Sequence, residues 1–302
     1  MKKALTVAIP VLCAIGLLVF QGRVMAVERV LAIGDSWGYA LSDPLNNQLS
    51  GHGHGDYHVF NAALLGATAD AYANNVGGAL DITLGLLAVT PTIEVVFISL
   101  GGNDLWSMYP SLGDEVFGEI EADLRYLVDR ILQTRPDVQI LFAGYDILKF
   151  DKSDFCLLFA YNCFGRIFPW EVSPLFIEIG NAQRRIADDY PSVTSLSLWG
   201  TGQGSPGSPD ITKWSPSSYV ASGDEDCLHL SDSGYNQFAL QIYCSYFAPR
   251  FGESCQGSAW GAASVAGTGL DPWSAGSGRL NGVALVIIPL VALFVLRWSR
   301  KR

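Results

Sequence analysis

The sequence predicts an α/β fold, a three-layer αβα sandwich around a mostly parallel five-stranded sheet, and three observations carry that expectation. Short, nearly all-apolar runs recur at 30–33, 59–63, 93–100, 138–143 and 193–198, the pattern of strands buried on both faces. Helical patterns separate these runs, as repeated β-then-α units require. The stretch available for folding, 27–251, has 225 residues and no internal repeat, which suits one such unit.

Taken in order, the run 30–33 ends in Gly34-Asp35-Ser36, which puts Ser36 where a helix begins. The run 59–63 continues into Leu64-Leu65-Gly66, and 93–100 into Gly101-Gly102-Asn103-Asp104. The clearest helix follows at 114–134. Its Val116, Phe117, Ile120, Leu124, Leu127, Val128 and Ile131 recur at three and four, which lays one apolar stripe against a sheet. Asp114, Glu115 and Glu119 favour its N-terminal end, and Pro136 follows its last turn. A second helix is expected over 174–189, and a third after Ser231, with Ser231 or Asp232 as its cap. The stretches 145–172 and 199–224 are long for compact connections. The first is rich in Phe, Tyr and Leu and holds Trp170, so it is read either as a substrate-selecting loop or as a disulfide-pinned apolar cover for the sheet.

The two ends are read as targeting segments. Residues 1–26 combine Lys2 and Lys3, an apolar run and Val24-Met25-Ala26, the form of a secretory signal peptide. After the domain at 27–251, residues 252–279 are rich in Gly, Ser and Ala and read as a linker. Residues 280–302 read as a hydrophobic C-terminal anchor or a cleaved sorting tail: 14 apolar residues at 283–296 precede Arg297, Arg300, Lys301 and Arg302. That run is short of the about 20 residues a bilayer core demands, but it implies membrane contact at some stage. The expected location is therefore exported: periplasmic, cell-surface or secreted.

Charge and cysteine content narrow the class further. Between residues 27 and 296 there are 12 Lys and Arg against 29 Asp and Glu, a balance of −17, which argues against nucleic acid as a partner. Without Cys13 the chain keeps Cys156, Cys163, Cys227, Cys244 and Cys255. In an oxidising compartment Cys156 and Cys163 are expected to close a loop, with one of the other three left over if the rest pair. No cysteine pair has zinc-ligand spacing. His52 and His54 in Gly51-His-Gly-His-Gly55, with His58 nearby, are read as a solvated loop, because flexible glycine spacing pre-organises no ligand geometry. No cofactor or metal is expected.

The chemistry lies in a combination. A serine hydroxyl becomes a nucleophile when a base takes its proton and donors hold the oxyanion that forms. Ser36, Gly66, Asn103 and the pair Asp226 and His229 supply those types. Alone, Gly34-Asp35-Ser36 is an ordinary turn into a helix, and Asp226-Cys-Leu-His229 an ordinary cap with an exposed histidine. Gly34-Asp-Ser36-Trp-Gly38 also matches the G-x-S-x-G elbow of another hydrolase class, but it follows the first strand, where that elbow does not belong.

Together and in this order, these blocks resemble the four sequence blocks of the SGNH (GDSL-type) hydrolase family over roughly 30–247. The resemblance implies a flavodoxin-like sheet and a serine esterase or lipase. Ser36 would be its nucleophile, His229 the base and Asp226 the residue orienting it. The Ser36 and Gly66 backbone N–H groups and the Asn103 amide would be the oxyanion donors. The residues agree with those roles. A helix-initial N–H lacks an intrahelical partner, glycine allows close approach, and a side-chain amide donates without a counter-charge. Trp37 stands where the family usually has Leu, and Leu230 where Pro is common. The implied substrate is a small-molecule or polysaccharide ester, a carbohydrate O-acetyl ester or a lipid-like acyl ester among them. The rival reading is a non-catalytic, surface-anchored glycan- or protein-binding module on the same fold.

Overall fold

The computed structural model describes residues 27–108, 114–223 and 226–255. The expected signal segment, nearly all of the linker and the apolar tail lie outside them. Among the described residues no helix is long and apolar enough to cross a membrane.

Five strands form one sheet: β1 (Val27–Gly34), β2 (Tyr57–Asn61), β3 (Val95–Ser99), β4 (Gln139–Ala143) and β5 (Val193–Leu196). All four pairings are parallel, in the order β2-β1-β3-β4-β5. The central strands carry the apolar runs that sequence exposed: Val30 to Ile33, Val95 to Ile98 and Ile140 to Ala143 are fully buried. Burial on both faces is why they read as continuous rather than alternating runs.

Nine α-helices are described: α1 (Ser36–Gly51), α2 (Ala69–Ala73), α3 (Ala79–Val89), α4 (Asp104–Met108), α5 (Asp114–Thr134), α6 (Asp154–Phe164), α7 (Pro169–Asp189), α8 (Asp232–Ile242) and α9 (Ala248–Arg250). Helix α1 packs on α8, while α5 packs on α2, α3 and α7, which gives the two helical layers of the sandwich. The helix expected at 114–134 has those bounds, and Ser231 caps α8 by accepting from the Gly234 N–H.

Two expectations need correction. The stretch 145–172 is not one long loop: it contains a 3₁₀ turn (Phe150–Lys152), α6 and the start of α7, which begins at Pro169 rather than 174. Proline is at home in a first helical turn, and Pro169 takes that position, leaving Pro174 inside the helix. Helix α6 is hidden in the sequence because Cys156, Ala160 and Phe164 face inward while Phe155, Leu158 and Tyr161 are exposed, so no polar face marks a period.

The cysteine pairing also differs. Cys156 bonds to Cys227 and Cys244 to Cys255, and Cys163 is free. Cys156 and Cys163 share α6 two turns apart. Seven residues of helix rise about 10 Å, beyond the about 7 Å that a disulfide spans between Cα atoms. The Gly-His loop after α1 is more than a solvated turn, since His52 stacks on Tyr243 and His54 stacks on Phe251 and pairs with Glu253 at 2.8 Å. The Cys244–Cys255 disulfide lies among the described residues, just after the domain expected at 27–251.

Candidate active site

The strand order places the site. From β1 the chain moves to one neighbour, β2, and then crosses to the other, β3, so the crevice opens at the carboxyl ends of β1 and β3. Ser36 directly follows β1, and Gly101-Gly102-Asn103 directly follows β3.

The turn out of β1 is built for close approach. Gly34 has φ +134°, and a Cβ there would lie 2.1 Å from the Ser99 carbonyl oxygen. The absence of a side chain lets the Asp35 N–H donate to that oxygen at 3.0 Å, which locks the turn to β3. Asp35, not Ser36, caps α1: its carboxylate accepts from the Trp37 N–H at 2.8 Å. Ser36 becomes the first helical residue. Its N–H has no intrahelical acceptor, and its hydroxyl is free of capping duty.

The histidine arrives from a distant loop. His229 Nε2 lies 2.8 Å from Ser36 Oγ, and Nδ1 lies 3.0 and 3.2 Å from the two Asp226 carboxylate oxygens. Asp226 also accepts from the backbone N–H groups of Leu228 and His229. Burial raises the Asp226 pKa, but the hydrogen bond and charge of His229 and those two N–H groups outweigh it and bring it down to about 2. The carboxylate is therefore ionised beside the imidazole. Three ties hold the loop: the Cys156–Cys227 disulfide, the Trp37 indole N–H donating to the Leu228 carbonyl at 3.1 Å, and the Ala221 N–H donating to the His229 carbonyl at 3.0 Å.

Gly66 and Asn103 are stitched to each other. Gly66 sits in the turn closed by the Ala67 N–H on the Leu64 carbonyl, at φ +75°, a conformation that glycine adopts freely. The Asn103 amide donates to the Ala67 carbonyl at 2.9 Å, and the buried Asp104 carboxylate accepts from Ala69 and Asp70 N–H. Burial pushes the Asp104 pKa up to about 6 against those two bonds.

Of the five residues singled out by sequence, the structure joins Ser36, His229 and Asp226 by hydrogen bonds and lines one recess with Ser36 and Asn103. Gly66 is one residue from the carbonyl that holds Asn103. A hydroxyl bonded to an imidazole that is itself bonded to a carboxylate is the arrangement that moves a serine proton onto nitrogen.

Sequence reasoning missed a buried bridge beneath these groups. The Tyr145 hydroxyl donates to Asp35 at 2.5 Å and accepts from the Gly102 N–H at 2.8 Å, which ties the β1 turn to the β3 turn. Burial raises the Asp35 pKa to about 6, against the hydrogen bonds from Tyr145, Trp37 and Gly38 and the charge of His229. The available signal was positional: Tyr145 follows β4 at the same sheet edge.

Solved structures of known proteins match the chain at low identity. A lipopolysaccharide acetyltransferase periplasmic domain from Salmonella ser. Paratyphi A is 15% identical, with 78% of this chain and 88% of that one covered and a TM-score of 0.49. The acetyl xylan esterase AlAXEase is 14% identical (73% and 100% covered, TM-score 0.48), and the lipase Lip_vut3 from a goat rumen metagenome 11% identical (73% and 98%, TM-score 0.48). No curated protein matches the sequence. The family model that does match is that of the GDSL-like Lipase/Acylhydrolase family, over residues 32–237, which takes in Ser36, Gly66, Asn103, Asp226 and His229. The chain belongs to this GDSL-like lipase/acylhydrolase family and is an ester-hydrolysing enzyme.

Proposed function

We propose that the protein is an exported serine esterase that works through an acyl-enzyme on Ser36, with His229 as base and Asp226 as the carboxylate that orients it. The observation that carries this reading is the 2.8 Å contact between His229 Nε2 and Ser36 Oγ, with Nδ1 held by Asp226 on the other side of the ring. His229 takes the serine proton as Oγ attacks the ester carbonyl, and gives it to the leaving alcohol. Water then enters, loses a proton to His229 and releases the acid from Ser36.

The oxyanion formed at each step would meet the Ser36 and Gly66 backbone N–H groups and the second Asn103 amide hydrogen. No step calls for a metal or an organic cofactor. Export is supported by the two disulfides, which persist in oxidising compartments, and by the signal-like residues 1–26. The apolar run 283–296 with its terminal basic residues would hold the enzyme at a membrane, or mark it for sorting to the surface.

The test is turnover of p-nitrophenyl acetate by the full chain and its Ser36→Ala variant. The variant is expected to lose at least about 1000-fold in kcat with its fold intact. A folded Ser36→Ala variant with undiminished turnover would remove the reading and favour a binding module on the same fold.

A further inference from the structure

We infer that Lys152 is a positioning residue of the reaction: its ammonium group clamps the backbone that carries Asp226 and His229, and so sets the imidazole against Ser36. The inference rests on the proposed roles of Ser36, His229 and Asp226, and adds to them a residue that touches none of the reacting atoms.

The segment that delivers His229 has few bonds of its own. Residues 219–221 and 229–231 run antiparallel around the Val220–Leu230 bridge, with the Ala221 N–H on the His229 carbonyl at 3.0 Å and the Ser231 N–H on the Tyr219 carbonyl at 2.9 Å. Asp226 lies in the connection between these arms, where its N–H donates to the Gly223 carbonyl at 3.1 Å. A two-stranded hairpin this short is marginal by itself in water. Its geometry must be imposed by other parts of the fold.

Lys152 reaches the segment at two carbonyls. Its Nζ donates to Ala221 O at 2.9 Å and to Gly223 O at 2.6 Å. Ala221 is the residue whose N–H holds the His229 carbonyl, and Gly223 is the one whose carbonyl holds the Asp226 N–H. One cation thus fixes the backbone partners of both members of the pair. An ammonium group has three donors on one nitrogen, which suits converging carbonyls, and its hydrogen bonds are stronger than those between neutral groups.

A clamp acts only from a rigid base, and Lys152 has one. It ends the 3₁₀ turn that starts at Phe150, a fully buried ring packed against Phe159, Phe164 and Trp214. Directly after it Ser153 caps α6, accepting from the Cys156 N–H at 3.2 Å, and Cys156 is bonded to Cys227. The segment 152–156 therefore grips the histidine segment on both sides of Asp226, at Ala221 and Gly223 through the ammonium group and at Cys227 through sulfur. The disulfide alone leaves the arm opposite His229 unheld. A catalytic group misplaced by about 1 Å can lose about 100-fold in rate.

Turnover of p-nitrophenyl acetate by the full chain tests the assignment. Lys152→Met, which removes the donors and keeps an unbranched side chain, is expected to lower kcat by about 10 to 100-fold with KM nearly unchanged. Lys152→Arg, which keeps a cation with several N–H donors, is expected to restore most of that loss. In a His229→Ala background Lys152→Met is expected to lower the residual rate no further, because residues that act through one another are not additive. Should Lys152→Met fail to fold, Lys152→Gln, with a shorter and neutral amide, takes its place with the same direction expected. An unchanged kcat in the folded variant, a loss as large in Lys152→Arg, or an equal loss in the His229→Ala background would overturn the positioning role and leave the Ser36 reading standing. A full chain without turnover, with Ser36 inert to a fluorophosphonate, would remove both.

Discussion

Asn103 has two amide hydrogens, and one of them is spent on the Ala67 carbonyl. That bond aims the other, because an amide fixed at one hydrogen has its second direction set by planar geometry. If the second hydrogen meets the oxyanion, removing it weakens the transition state more than the bound substrate. Asn103→Asp, which keeps the size but cannot donate, is expected to lower kcat by about 100 to 1000-fold with KM nearly unchanged. Steady-state kinetics check this, and a change confined to KM would assign Asn103 to substrate binding instead. At this scale the sequence was most informative where partners are close in the chain or lie in compact blocks. Asp226 and His229 are three residues apart, and Asn103 sits in a glycine-flanked block directly after a strand. The Asp35–Tyr145 bridge spans 110 residues, and although Asp35 lies in the Gly34-Asp35-Ser36 block, nothing in that block or around Tyr145 announces the pairing.

Among the elements, α6 and the histidine loop form a unit. Cys227 stands between Asp226 and His229, and its disulfide partner Cys156 lies in the first turn of α6, 71 residues earlier. The bond therefore fixes the backbone from which the imidazole reaches Ser36. Removing it with Cys156→Ser and Cys227→Ser is expected to cost about 2–4 kcal/mol of stability and to lower kcat even at temperatures where the variant stays folded, since the His229 to Ser36 contact loses one of its anchors. Chemical denaturation and kcat, measured on the same samples, check both parts. A stability loss with unchanged kcat would make the disulfide structural only. Free Cys163 does not offer a substitute partner: burial raises its thiol pKa to about 11, which keeps it protonated and slow to exchange. The contrast between α5 and α6 explains what a sequence reveals about elements. One face of α5 meets the sheet and the other meets water, so its bounds are written in polarity. Helix α6 is apolar on both faces, and its presence becomes apparent only in three dimensions.

For the molecule as a whole, three buried carboxyls decide how stability responds to mild acid. Burial lifts Asp35, Asp104 and Asp146 from 3.8 to about 6 in the folded protein, although each accepts several hydrogen bonds. Their folded forms hold protons more tightly than the unfolded chain does. Stability is therefore gained as pH falls through about 6, complete below the unfolded value and absent at higher pH. Asp226 works in the opposite sense, since its folded pKa of about 2 means that its contribution, present above 3.8, is lost as pH falls through about 2. Lowering pH from 7 to 5 is expected to add on the order of 1 kcal/mol of stability per buried carboxyl and so to raise Tm, before stability falls in stronger acid. Calorimetry across pH 2 to 8 checks the sign, and a Tm that falls steadily from pH 7 to 5 would contradict it. The sheet order was not written in the sequence, but its consequence was: segments following the first and third strands meet wherever such a sheet reverses its order.

All of these scales converge on the hydroxyl of Ser36. The most direct measurement is reaction of the full chain with a fluorophosphonate, followed by mass spectrometry of its peptides. The expected result is a single adduct on Ser36, absent from Ser36→Ala and formed at least about 100-fold more slowly in His229→Ala. A folded protein that takes up no label, or that carries it on another residue, would contradict the assignment of Ser36 as nucleophile.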